Sequence, residues 1–168
     1  MSAVLKKIVS GGQTGVDRAA LDVALANKVP CGGWCPTGRK AEDGPLAAQY
    51  PLVETPSDDY AQRTEWNVRD SDGTLVLTDG ELSGGTAQTA ESAARLGKPC
   101  LVLDLAQRPT PESVLAWALT HTVRILNVAG PRESKSPGIY DRARQFLSEI
   151  LSLNEEVRMP TPQPERGT

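Results

Sequence analysis

The chain has 168 residues, 39% hydrophobic and 23% charged, enough for one soluble domain with a real core. Net charge is −3 at pH 7 and aromatics make up 4%, so the chain lacks a basic stripe for a nucleic-acid backbone and a stacking platform for single strands. Neither an apolar run of membrane-spanning length nor a signal peptide is present, so the expected location is the cytoplasm, with no membrane partner. Three cysteines (Cys31, Cys35 and Cys100) and one histidine (His121) do not make a zinc site or a disulfide scaffold. Free thiols in a reducing compartment, and no metal site, are expected.

The first apolar run, Val4 to Val9, stops at Gly11-Gly12-Gln13-Thr14-Gly15, and a helical pattern then begins. A strand feeding a helix N-terminus through glycines offers unpartnered N–H groups and a favourable dipole to an anion. The same pattern also fits a plain strand-to-helix turn. Val16, Ala19, Ala20, Val23 and Ala24 form a broad apolar helix face suited to packing on a sheet, with Asp17 and Asp22 on the polar side. Val29 to Trp34 reads as a second strand. Residues Cys35 to Pro45 form a long polar loop carrying Arg39 and Lys40, either a functional loop or a solvated, mobile one.

Leu52 to Glu54 reads as a short strand, and Ser57 as the N-cap of a polar helix over Asp58 to Ser71. On that helix Arg63 and Asn67 share a face, Arg69 lies elsewhere, and Trp66 is a packing anchor. Gly73 to Asp79 is a buried central strand. Gly80 to Thr89 is a second glycine turn feeding a helix that Thr86 could cap and Gly97 ends. Cys100 to Leu105 is another buried strand. Pro111 starts a helix whose C-terminus holds His121, where a cation suits the dipole. Val123 to Ala129 is a strand that breaks at Gly130-Pro131-Arg132-Glu133-Ser134. Ile139, Ala143, Phe146, Leu147, Ile150 and Leu153 share one face of the last helix. The domain is expected over 1–153, followed by a Pro-rich tail over 154–168 that suits a subunit contact.

Alternating strands and helices indicate an α/β fold with a mostly parallel sheet and right-handed crossovers. Ligands of such sheets bind beyond the strands' carboxyl ends, near the topological switch point. The polar glycine turns all follow strands, so they can converge there. With Arg18, Arg39 and Arg132 they make a pocket for a small phosphorylated molecule. Asp17, Glu42, Asp43 and Asp79 are candidate proton carriers, although capping or solvation explains each equally well.

Ser10-Gly11-Gly12-Gln13-Thr14-Gly15-Val16-Asp17-Arg18, Gly33 to Gly44, Arg63 to Thr74, Ser83-Gly84-Gly85-Thr86 and Gly130 to Ser134 together resemble the molybdenum cofactor carrier protein family. The resemblance spans roughly residues 5 to 153. It implies a single-domain, Rossmann-like, doubly wound fold and a homo-oligomer, dimer or tetramer. It also implies that molybdenum cofactor (molybdopterin, a pterin with a terminal phosphate) is held as cargo. The expected contacts are Gly11, Gly12, Gln13, Thr14, Gly84, Gly85 and Thr86 on phosphate, Arg18, Arg39 and Arg132 on its charge, and Asn67 on the ring or sugar. The wider superfamily includes the cytokinin-activating nucleoside-monophosphate phosphoribohydrolases, whose motif Pro-Gly-Gly-x-Gly-Thr-x-x-Glu ends in a catalytic glutamate. Aligned on Gly85-Thr86, this chain has Thr89 at that glutamate, with Glu91 two residues late. The resemblance therefore implies a carrier or storage protein and no assigned catalytic residue. Nucleotide hydrolysis is the alternative.

Overall fold

The computed structural model describes residues 3–158. Strand β1 (Lys7–Val9) leads to helix α1 (Val16–Ala26), β2 (Cys31–Gly32) and β3 (Trp34–Cys35). A long loop then reaches β4 (Val53–Glu54), α2 (Tyr60–Arg69), β5 (Gly73–Thr78), α3 (Gly84–Arg95) and β6 (Cys100–Asp104). Helix α4 (Pro111–Thr120), β7 (Ile125–Ala129) and α5 (Ile139–Arg158) complete the domain.

Five strands pair in parallel in the order β2-β1-β7-β5-β6. Helices α1, α4 and α5 pack together on one side, and α2 packs with α3 on the other. Moving the β7–α5 unit to the front of the chain would turn this order into 3-2-1-4-5, that of a Rossmann half with two further strands. The fold is thus doubly wound, with its first strand–helix unit supplied by the C-terminus. Its topological switch lies between β7 and β5, whose register pairs Leu75 with Val128 and Val76 with Ala129.

The core forms because β5 is buried along its whole length, with Leu75, Val76 and Leu77 at its centre, while β7 beside it and β1 one strand further add Leu126, Val128 and Ile8. On the helix side, Ala19, Ala20 and Ala24 let α1 approach Ala143, Leu147 and Ile150 of α5 closely. Each fully buried branched side chain there contributes roughly 1.5–3 kcal/mol. Asn154 ties the end of α5 back to the segment that leads into β1: its side chain donates to Leu5 O and accepts from Leu5 N. That clasp lies beyond the expected domain end at 153, and α5 runs on to Arg158. The rest of the expected tail, 159–168, lies outside the described residues.

Several local expectations are corrected. The stretch read as one strand over Val29 to Trp34 divides at Gly33, whose φ of +132° turns the chain off the main sheet. Cys31–Gly32 pairs with β1, whereas Trp34–Cys35 forms a separate two-stranded sheet with β4. Helix α2 is capped by Asp59, whose carboxylate accepts from Ala61 N, and not by Ser57, two residues earlier, whose hydroxyl accepts from Asp59 N. Strand β6 is not buried: it is the sheet's edge, and Val102 on it is 41% exposed. No helix of the described residues is long and apolar enough to cross a membrane.

Candidate functional site

The carboxyl ends of β5 and β7 open onto a cavity of about 150 Å³ at the topological switch, bordered by Thr78, Asp79, Ala129 and Gly130. Gln13 of the turn after β1 and Asp17 of the first turn of α1 also line it. Helix α2 adds Tyr60 and Arg63, the first turn of α3 adds Ser83, Gly85 and Thr86, and the loop after β7 adds Arg132 and Lys135.

Gln13 is 5% exposed. Its side-chain oxygen accepts from Thr14 N at 3.0 Å and from Glu42 N at 2.9 Å, which fixes the amide's orientation. The opposite end, Nε2, is therefore a donor, and it is buried without a partner. Asp17 is also buried, so it does not sit on a polar helix face as its spacing suggests. Its Oδ2 accepts from Gln13 N at 3.3 Å and from Arg63 Nη1 at 3.4 Å. Burial pushes this carboxyl up to about 6, although Arg63 and the Gln13 amide oppose the shift. Arg63 lies beside it with its Nε unpartnered.

The opposite wall is cationic. No side chain caps the N-terminus of α3 at Ser83, so its first N–H groups have no partner within the helix or from a cap. A Cβ on Gly84 would sit 3.3 Å from Lys135 Nζ, so the ammonium overhangs that turn. At the mouth, Lys40, Arg63 and Arg132 lie 4.9, 5.4 and 5.3 Å from the centre of the Tyr60 ring. The ring's negative face lets three like charges gather around it.

The first glycine turn is occupied by protein, contrary to the expectation of an open anion nest. A Cβ on Gly11 would lie 2.1 Å from Arg63 Nη1, so this glycine makes room for the arginine. Gly12 sits under Leu46 and Leu52, and its N–H goes to Ser10 Oγ. Gly15, at φ +78°, lets Pro131 O approach and accept from Val16 N. The Thr14 hydroxyl donates to Glu42 and accepts from Glu133 N.

Three expected ligand contacts also change role. Arg18 is spent on Gly12 O and a two-pronged pair with Asp43 at 3.0 and 3.1 Å. Arg39 donates to the carbonyls of Leu46, Ala47, Tyr50 and Leu52, holding its own loop together. Asn67 clamps Trp34, accepting from its N and donating to its O. Of the expected contacts, Gln13, Gly85, Thr86 and Arg132 line the cavity, with Gly84 beside it. Thr86 sits buried in the first turn of α3 and is not its cap.

The candidate proton carriers separate in the same way. Burial pushes Glu42 up, but hydrogen bonds from Ser134 and Thr14 outweigh it and hold the carboxyl below its usual value. Asp43 is held low by Arg18, and Asp79 by Arg142 and Ser136. Only Asp17 of the four is raised. Thr89, at the glutamate position of the hydrolases, borders the cavity and donates to Gly85 O, whereas Glu91 faces a separate groove between α2 and α3. Sequence reasoning missed Arg63, Lys135 and Tyr60. The Arg63–Asn67 spacing was the one available signal, since it put the arginine on the same helix face as Asn67, an expected ligand contact.

Elsewhere, a wider and more open groove of about 720 Å³ runs between α4 and α5, but no strand end or glycine turn reaches it. Among the described residues no group of His, Cys, Asp and Glu could hold a metal ion.

No curated protein matches the chain. A crystal structure from Syntrophus aciditrophicus SB, described as a "Putative molybdenum carrier protein", is similar, with 46% sequence identity and a TM-score of 0.85. The match covers 90% of this chain and 98% of that one. The family described as circularly permutated YpsA SLOG matches residues 8–151, nearly the whole described domain. The displaced β7–α5 unit is consistent with such a permutation, and the chain belongs to the circularly permutated YpsA SLOG family.

Proposed function

We propose that the cavity takes the phosphate end of a small phosphorylated molecule, and that the protein carries or stores that molecule. One observation carries this reading: the buried Gln13 Nε2 donor has no partner, and it faces a wall formed by Arg132, Lys135 and an uncapped helix N-terminus. A buried unmade hydrogen bond costs about 1–3 kcal/mol, which an incoming oxyanion would recover. At about 150 Å³ the cavity is too small for a whole cofactor. Sites enclosing drug-sized ligands hold roughly 300–1,000 Å³. The remainder of the ligand would lie outward over Tyr60. Molybdenum cofactor, a pterin ending in a phosphate, meets this description, and the molybdenum carrier likeness supports it. A nucleotide meets it equally. Free thiols fit a reducing cytoplasm, and exposed Val102 and Leu119 fit a homo-oligomer.

A second reading, hydrolysis of a nucleotide's glycosidic bond, is favoured by one feature: a carboxyl raised toward neutrality beside the cavity, as expected of a general acid. Denaturing the purified protein and identifying the released small molecules by mass tests the carrier reading. A phosphorylated pterin or nucleotide supports it. Steady formation of ribose 5-phosphate from nucleoside monophosphates would replace it with the hydrolase.

A further inference from the structure

Asp17 lines the cavity beside Gln13 and Arg63, so an oxyanion bound by Gln13 Nε2 and Arg63 would arrive next to its carboxyl. Its nearest cation is Arg63, whose contact is a single long one of 3.4 Å. The other charges facing it are Arg18 on its own helix and Arg132 on the loop after β7. Across the cavity stand Lys135 on that same loop and the carboxylates Asp79 and Glu81 beyond β5. The lining therefore carries three cations, Arg63, Arg132 and Lys135, against three carboxylates, Asp17, Asp79 and Glu81. A phosphate dianion would upset that balance and draw Arg63 away from the one carboxylate that water cannot screen.

We propose that this site binds an oxyanion together with a proton, and that Asp17 is the group that takes the proton up. The inference rests on the phosphate-end reading above. The chemistry is a plain protonation: the Asp17 carboxylate gains one proton from solvent, becomes a neutral acid, and releases Arg63 to the ligand. A neutral Asp17 can also donate its O–H to a ligand oxygen, which the carboxylate cannot do. Asp79 and Glu81 do not serve this role, because both are exposed and Asp79 is held ionised by Arg142 and Ser136. The raised affinity of Asp17 for protons in the free protein agrees with the geometry: the carboxyl is already poised near 6.

The test measures binding of orthophosphate and of adenosine 5′-monophosphate by calorimetry at pH 8, in two buffers of different ionisation heat. The wild-type protein should take up close to one proton more per bound ligand than Asp17→Asn. The ligand's own titration cancels in that comparison. Because only about 1% of Asp17 is protonated at pH 8, Asp17→Asn should bind these probes up to about a hundredfold more tightly than wild type. Asp79→Asn should leave the proton count unchanged. Equal counts for wild type and Asp17→Asn, with both binding, overturn the proton coupling and leave the phosphate-end reading standing. Failure of wild type to bind either probe overturns both. Should Asp17→Asn fold poorly, the wild-type count decides alone: no uptake beyond the ligand's own titration refutes the proposal.

Discussion

Replacing Gln13 by Glu reverses one hydrogen-bonding end of the side chain and leaves the other unchanged. The retained oxygen still accepts from Thr14 N and Glu42 N, so the turn and its loop stay fastened. The lost Nε2 donor is the one that faces the cavity without a partner. Losing a hydrogen bond to a charged oxygen, worth about 1.5–3 kcal/mol, should weaken a phosphate probe between about tenfold and about 150-fold, and repulsion between the new carboxylate and the oxyanion pushes the effect toward the severe end. A thermal shift reads this directly. At a probe concentration of one hundred times the wild-type Kd, the wild-type protein gains about 2.7 kcal/mol, roughly 5–11 °C in Tm for a domain of this size. At the same concentration the variant should gain about 1.4 kcal/mol at the mild end of the range and about 0.3 at the severe end. Measurement at pH 8 keeps the new carboxyl ionised, and far-UV circular dichroism checks the fold. If Gln13→Glu keeps the full wild-type shift with adenosine 5′-monophosphate, the amide does not meet the ligand and the site lies elsewhere.

Asp17 also makes stability depend on pH. Its folded-state carboxyl titrates near 6 against 3.8 for the ordinary value, so between those limits the folded protein holds more protons than the unfolded chain. Stability therefore falls as pH rises through that window and is level above it. At 1.36 kcal/mol per unit, the stability of Asp17→Asn relative to wild type should rise by about 3 kcal/mol from pH 3.5 to pH 7. Urea melts at both pH values measure the change, and a constant difference refutes the assignment. Arg39→Ala should cost about 2–4 kcal/mol by freeing four carbonyls, and should open residues 40–52 to protease; a loss below about 0.5 kcal/mol would mean the loop holds without it. Gly15→Ala would force a side chain into φ +78° and 2.3 Å from Pro131 O, so a Tm within a degree or two of wild type would contradict the packing described.

The order of the elements was legible in the sequence because it rests on local chemistry. Apolar runs ending at glycines became β1, β5 and β7, Pro111 began α4, and Gly97 followed the end of α3 with φ +66°. Those signals sit within a few residues of the structure they dictate. The convergence of the glycine turns on one sheet edge was legible too, because parallel strands leave the sheet on the same side.

What each side chain does at that edge was decided only by the tertiary structure. Gly11, Arg18, Arg39 and Asn67 carry the residue types of an anion site, yet each is matched to a protein partner distant in sequence: Arg63 for Gly11, Asp43 for Arg18, Leu52 for Arg39 and Trp34 for Asn67. The spacing of α1 put Asp17 on a polar face, but that face is roofed by Arg63 from α2, which no local pattern encodes. The sequence by itself determined which strands and turns exist. Burial by other segments determined which polar atoms were left without partners, since a hydrogen bond or a desolvated charge depends on what the rest of the chain brings within reach.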